Sequence, residues 1–163
     1  MTNHDIDAFF LERGLIGHVE RQAEPPSAMW IFQAGSFPIM IQTQEDANRM
    51  RIVAFITAAE TLDPEHMRVL LEANYHSALD ARYAVTGDHV VAAFLHPFSE
   101  LGRDQFILGL YQVVSCAETY GTHFSGGTMV FDDSGGDSAA NAEASAESFL
   151  DSLVDTIKNS QQQ

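Results

Sequence analysis

Basic residues are scarce in this sequence. Its 163 residues include 8 lysines and arginines, of which Lys158 is the one lysine, against 23 aspartates and glutamates, and the formal net charge is −15. Binding to nucleic acid or to an anionic membrane surface requires a basic footprint that neutralises phosphates. The charge balance therefore argues against both partners and favours a basic or amphipathic segment of another protein. An acidic excess is equally a solubility device in many bacterial cytosolic proteins.

Cysteine and long apolar runs are also nearly missing. The single cysteine, Cys116, excludes an internal disulfide and a cysteine-based zinc site, and it fits a reducing compartment. No segment approaches the roughly 18 uninterrupted apolar residues of a membrane span. The opening residues MTNHDIDAFFLERG lack the cationic stretch and apolar run of a signal peptide. We therefore expect a cytoplasmic protein.

The spacing of the histidines does not favour a metal site. None of the 7 histidines forms His-x-x-x-His or His-Glu-x-x-His, and His89 and His96 lie seven residues apart on one expected strand, hence on opposite faces. Cys116 lies between apolar residues of an expected helix, which is typical of a structural thiol. We therefore expect no catalytic residue, no metal and no cofactor. The alternative is a small metal-dependent or hydrolytic enzyme that uses His76, His89 or His96.

The first part of the chain alternates in the manner of β-strands. After a short amphipathic helix at 5–13, capped by Asn3 or Asp5, GHVERQ is a candidate for a half-buried strand. The segments AMWIFQ, FPIMIQT and RMRIVAFIT are three β-rich runs. They predict an antiparallel meander in which Trp30 and Phe32 share one face.

The second part switches to the helical period and back. Asp63 and Pro64 begin a helix in which Met67, Leu70, Leu71 and Tyr75 form an apolar stripe. The stretch RYAVTGDHVVAAFLHPFSEL predicts a hairpin that turns at residue 87, and a helix over about 104–120 follows. The order α-β-β-β-α-β-β-α predicts an α+β fold with an antiparallel sheet of about five strands and helices packed on it.

Three segments are expected along the chain. An α+β domain occupies 1–131, and a flexible acidic linker, rich in small residues, occupies 132–141. Residues 142–163 form a C-terminal amphipathic helix and tail. Its apolar side, which we expect to dock in the same chain, across a dimer or onto another protein, consists of Phe149, Leu150, Leu153, Val154 and Ile157.

The helix in DQFILGLYQVVSCAETY has one apolar stripe more than a sheet requires. One stripe is enough to pack a helix on a sheet, so the second needs another cover. Either a helix of the same chain or a second protein provides it. We therefore treat the second stripe as a candidate interface with a second subunit or a partner: Ile107, Leu108, Tyr111 and Val114.

A family resemblance appears when these elements are taken together. The stretch DPEHMRVLLEANYHSALDARYAVTGDHVVAAFLHPFSELGRDQFILGLYQVVSCAETY, with the tryptophan-containing meander before it, resembles the YbjN-type family over residues 3–124. The fold of that family is similar to that of type III secretion chaperones. The resemblance implies an α-β-β-β-α-β-β-α domain and a small, acidic, cytosolic homodimer that holds an extended client segment. The acidic tail after Phe131 departs from this pattern.

The function expected from the sequence is therefore protein binding without catalysis. We expect a chaperone-like or regulatory domain that forms a homodimer and binds a client protein. Adaptable apolar side chains on the sheet, Met29, Trp30 and Phe32, are candidates for the client surface, and the core of the meander is their alternative place. A structural subunit that assembles only with its own kind is a further alternative.

Overall fold

The fold combines one antiparallel sheet with helices, which confirms the predicted α+β class. The structure, a computed structural model, describes residues 1–122 and 138–160. Its helices are α1 Asn3–Glu12, α2 Pro64–His76, α3 Arg103–Glu118 and α4 Ser138–Asn159. Its strands are β1 Glu20–Glu24, β2 Ser27–Ala34, β3 Phe37–Gln44, β4 Arg49–Ala58, β5 Arg82–Thr86 and β6 His89–Pro97.

The sheet has six strands where about five were expected. Its order is β1-β2-β3-β4-β6-β5, and all neighbours are antiparallel. The additional strand is β1, which the sequence suggested as half-buried, but every residue of β1 is exposed. The reason is its place at the edge of the sheet. The charged sequence ERQAE is typical of an edge strand that resists pairing with another chain.

Strand alternation assigns one face of the sheet to the core. Trp30 and Phe32 are both buried on that face, which confirms that they share it. Trp30 lies opposite Ile41, and Ile41 lies opposite Ile52, so a buried row crosses the three strands of the meander. Residues of α1, α3 and α4 join the same core. We call this side of the sheet the core face, and the other side the open face.

The cap of α1 differs from the two candidates of the sequence. Thr2, one residue before Asn3, is the N-cap: its side chain accepts from the backbone N–H of Asp5, and the Asp5 carboxylate accepts from the backbone N–H of Thr2 at 2.7 Å. This reciprocal pair is a capping box. It fixes the start of the helix whose Phe9 ring packs edge-on against Phe106 of α3, with ring centres 5.3 Å apart.

Helix α2 lies beside the outer edge of the sheet. As predicted, Asp63 is its cap and Pro64 its first residue. The side-chain carbonyl of Asn74 accepts from the backbone N–H of Tyr83 at 2.7 Å, and its amide donates to the Tyr83 carbonyl at 3.1 Å. Asn74 thus satisfies backbone groups that the edge strand β5 leaves without a strand partner. The predicted linker 132–141 lies mostly outside the described residues, and α4 begins at Ser138, ahead of the expected start at 142.

Candidate interaction surfaces

Helix α4 of the same chain packs on α3 and contacts its second apolar stripe at Tyr111. Ile107 and Val114 are buried, and Leu108 is half-buried. The ring of Tyr111 packs edge-on against Phe149 of α4, with ring centres 4.9 Å apart. Of the two covers left open by the sequence, the structure has the one within the chain.

The apolar side of α4 provides that cover. Leu150, Leu153 and Ile157 are buried, while Phe149 and Val154 are partly buried against the same core. Helix α4 packs on α3 and on β2. The tail residues expected to dock therefore dock in the same chain.

Two of the three residues expected to contact a client are inaccessible. Trp30 and Phe32 lie in the core, where the Trp30 indole N–H donates to a carboxylate oxygen of Asp7 at 2.8 Å. Because they are buried, neither offers contact area to a client. Met29, which alternates with them, lies on the open face and is half-buried.

The histidines expected on opposite faces are on opposite faces. His89 packs edge-on against Phe55 of the open face, with ring centres 5.7 Å apart. His96 stacks on Phe94 of the core face at 5.9 Å. Within the described ranges, no group of three or more histidine, cysteine, aspartate or glutamate side chains is arranged to hold a metal ion.

A cleft of about 380 Å³ lies between the end of α2 and α3. Its wall includes Tyr83, whose hydroxyl donates to the backbone carbonyl of Cys116 at 2.7 Å. Another wall residue, Gln112, is buried, and its side-chain carbonyl accepts from the backbone N–H groups of Asp80 and Ala81. Burial raises the pKa of the Cys116 thiol to about 11, so the thiol is protonated at neutral pH and a poor nucleophile.

A second apolar cluster lies on the open face. Val53, Val91 and Ala93 form its buried floor, and Met40 and Phe55 are half-buried around them. All five are strand residues, so no described helix contributes to this cluster. Beside it Leu95 is 65% exposed. A sheet face turned to solvent is ordinarily polar, and an apolar patch on it is typical of an interaction site.

Arginines accompany this cluster on the open face. Arg82 lies directly opposite Ala93, and Arg51 lies directly opposite Leu95. Arg51 donates to the side-chain carbonyl of Gln42 at 2.8 Å, a neutral partner. Strand alternation in RMRIVAF, which puts Arg51, Val53 and Phe55 on one face, is the sequence signal that points to this surface.

A third surface is the outer side of α2. The predicted stripe is split there: Leu70 is buried, whereas Met67, Leu71 and Tyr75 are exposed. Spaced four residues apart, these three form one line along the helix. The sequence predicted one apolar stripe without saying what covers it. The helix turns only the side of Leu70 and Ala73 toward the domain, because it lies at the edge of the sheet.

Among the residues described, no helix has the length and apolarity needed to cross a membrane. The chain matches no protein-family model and no curated protein. The likeness to the YbjN-type family accordingly stays a prediction from the sequence.

Proposed function

We propose that this chain is a cytoplasmic, noncatalytic protein-binding domain, chaperone-like or regulatory, that forms a homodimer and holds a client segment on the open face. The observation that carries the proposal is the apolar area of Leu95, which is 65% exposed, and of the half-buried Met40 and Phe55, all held on a buried floor of Val53, Val91 and Ala93. Water leaves apolar area when a partner covers it, and each Å² contributes about 25 cal/mol. Binding is the function that such a face supports.

Removing the apolar side chains of the open face is expected to abolish client binding. The variant Phe55→Ser/Leu95→Ser loses two large apolar side chains that stand beside the buried floor. Affinity capture from the native host, followed by mass spectrometry, compares it with the wild type. Leu11→Ser is the matched control, because Leu11 on α1 is 66% exposed and Leu95 is 65% exposed.

A partner recovered by the wild type and by Leu11→Ser, but absent with the double variant, is the expected result. Circular dichroism checks that the variants retain the fold. Equal recovery with all three proteins contradicts the location of the site. Failure of the wild type to recover any specific partner contradicts the function itself.

The homodimer has a candidate surface on α2. Met67, Leu71 and Tyr75 place three large apolar side chains in solvent along one helix. Two copies that pack these lines against each other remove them from water, and a two-fold axis lets one patch serve both subunits. The α3 stripe, already covered by α4, does not offer this area.

Leu71→Glu is expected to convert the dimer to a monomer. The mass from light scattering should fall from about twice the chain mass to 17.9 kDa, since a carboxylate is costly to bury without a partner. Leu11→Glu changes the charge equally at a residue that is 66% exposed, against 69% for Leu71, and should remain a dimer. A wild type of 17.9 kDa, or a Leu71→Glu protein that remains a dimer, contradicts the α2 interface.

A further inference from the structure

We infer that the client segment held on the open face is acidic, with apolar residues between its carboxylates. The inference rests on the proposed function and adds the chemistry of the partner. Net charge alone favours a basic partner, because the whole chain carries −15. The open face of the sheet, however, carries arginine side chains next to its exposed apolar residue, Leu95.

The position of the arginines follows from strand register. Val53 lies opposite Ala93, and Ala93 lies opposite Arg82, so Arg82 ends the row on one side. Arg51 precedes Val53 by two residues on β4 and therefore projects from the same face. Arg51 and Arg82 lie two strand spacings apart, roughly 10 Å across the sheet. They border the apolar floor on two of its sides.

Among the described residues, Arg51 and Arg82 differ from most other arginines because they form no ion pair. In the part of the chain that the structure describes, four arginines form ion pairs: Arg13, Arg21, Arg68 and Arg103. The basic residues in that part without an ion pair are Lys158 on α4 and three arginines of the open face: Arg49, Arg51 and Arg82.

The neutral partners of the arginines leave their charge uncompensated. Arg82 donates to the backbone carbonyls of Leu79 and Ala81, and Arg51 donates to Gln42. Arg49 lies farther from the apolar floor, in a hollow that Glu100 also lines. The inference therefore depends mainly on Arg51 and Arg82. In a chain with 23 acidic residues, guanidinium groups without a carboxylate are unusual, and here they surround an apolar floor.

Carboxylates of an incoming segment suit these positions. Charge-assisted hydrogen bonds between guanidinium and carboxylate are short and often bidentate, and they are stronger than bonds to neutral carbonyls. The long-range repulsion from the acidic remainder of the chain is screened beyond about 8 Å at physiological salt. At contact distance the local arginines decide the preference. A segment with apolar residues in its centre and carboxylates beside them matches both features.

Three synthetic peptides test the inference. They share one length and one set of leucine and valine positions, and the remaining positions are all glutamate, all serine or all lysine. Fluorescence anisotropy at about 0.15 M salt measures their binding to the full chain, to Arg51→Glu and to Arg68→Glu. Arg68→Glu is the matched control, because it changes the net charge by the same amount as Arg51→Glu. Arg68 lies on α2, away from the open face, and pairs with Glu72 at 2.9 Å.

The glutamate peptide is expected to bind the wild type at least about tenfold more tightly than the lysine peptide. Arg51→Glu should weaken the glutamate peptide by about tenfold and so remove most of its preference over the lysine peptide, while Arg68→Glu leaves the ratio unchanged. If the serine and glutamate peptides bind equally well, and both lose binding in Phe55→Ser/Leu95→Ser, the acidic chemistry of the client is contradicted. Binding on the open face is then still supported. Failure of all three peptides to bind contradicts both. A mass change of the free protein on Arg51→Glu identifies a second copy as the occupant and overturns the inference.

Discussion

Leu153→Asp is expected to release α4 from the domain and to lower the free energy of unfolding by about 3–5 kcal/mol. Leu153 is buried between Leu150 and Ile157, the other two anchors of the helix. The variant removes the buried leucine side chain and would place a carboxylate in an apolar contact, so undocking is cheaper than burying the charge. Since a domain is stable by about 5–15 kcal/mol in all, this is a large share.

The measurement is urea unfolding together with binding of a dye that fluoresces on apolar surfaces. Undocking uncovers the apolar surface where α4 packs on α3, including the contact between Tyr111 and Phe149, so dye fluorescence should rise while the circular dichroism of the sheet persists. Ser152→Asp, an exposed neighbour on the same helix, adds the same charge and should behave as the wild type. An unchanged midpoint and unchanged dye binding in Leu153→Asp contradict docking of α4 in the same chain.

Gly109→Ala is expected to lower the free energy of unfolding by about 1–3 kcal/mol. In an unconstrained helix interior the same change stabilises by about 1 kcal/mol. Here α3 approaches β6 so closely that a Cβ on Gly109 would lie 2.8 Å from Cδ1 and Cε1 of Phe94. The Phe94 ring is buried and has little room to move, so overpacking outweighs helix propensity.

Thermal or urea unfolding measures this effect, and two variants make the cause specific. Phe94→Leu alone leaves a cavity. In the double variant with Gly109→Ala, the added methyl group occupies part of that cavity, so the loss of stability should be smaller than the sum of the two single losses. Gly17→Ala, at a position with nothing within 4 Å of the added Cβ, should change stability by less than about 0.5 kcal/mol. Stabilisation by Gly109→Ala would contradict the close approach of α3 to the sheet.

Local signals were sufficient for much of the fold. Asp63 and Pro64 mark a helix start in any context, and alternation places Trp30 and Phe32 on one face. Features that depend on distant partners were not predictable. The bonds between Asn74 and Tyr83 place α2 at the sheet edge, and nothing in the helical period of α2 contains that information.

For the candidate site, too, local signals in the sequence predict one part and contacts between distant residues determine the rest. The alternation in RMRIVAF groups Arg51 with Val53 and Phe55, but only the pairing of β4 with β6 brings Ala93 and Leu95 beside them. Net charge, a sum over the chain, cannot reveal that the arginines without an acidic partner gather on one face. The second stripe of α3 had two possible covers in the sequence, and only packing could choose α4.

Backbone amide chemical shifts give the most direct test of client binding on the open face. Isotope-labelled full chain is titrated with the glutamate peptide, and each amide is followed. We predict that the largest shifts lie in β4 and β6, at residues 51–55 and 91–95, and that α1 changes little. Shifts confined to α2 or to the cleft beside Cys116, or no shifts at concentrations where the peptide should saturate the face, would contradict the proposed site.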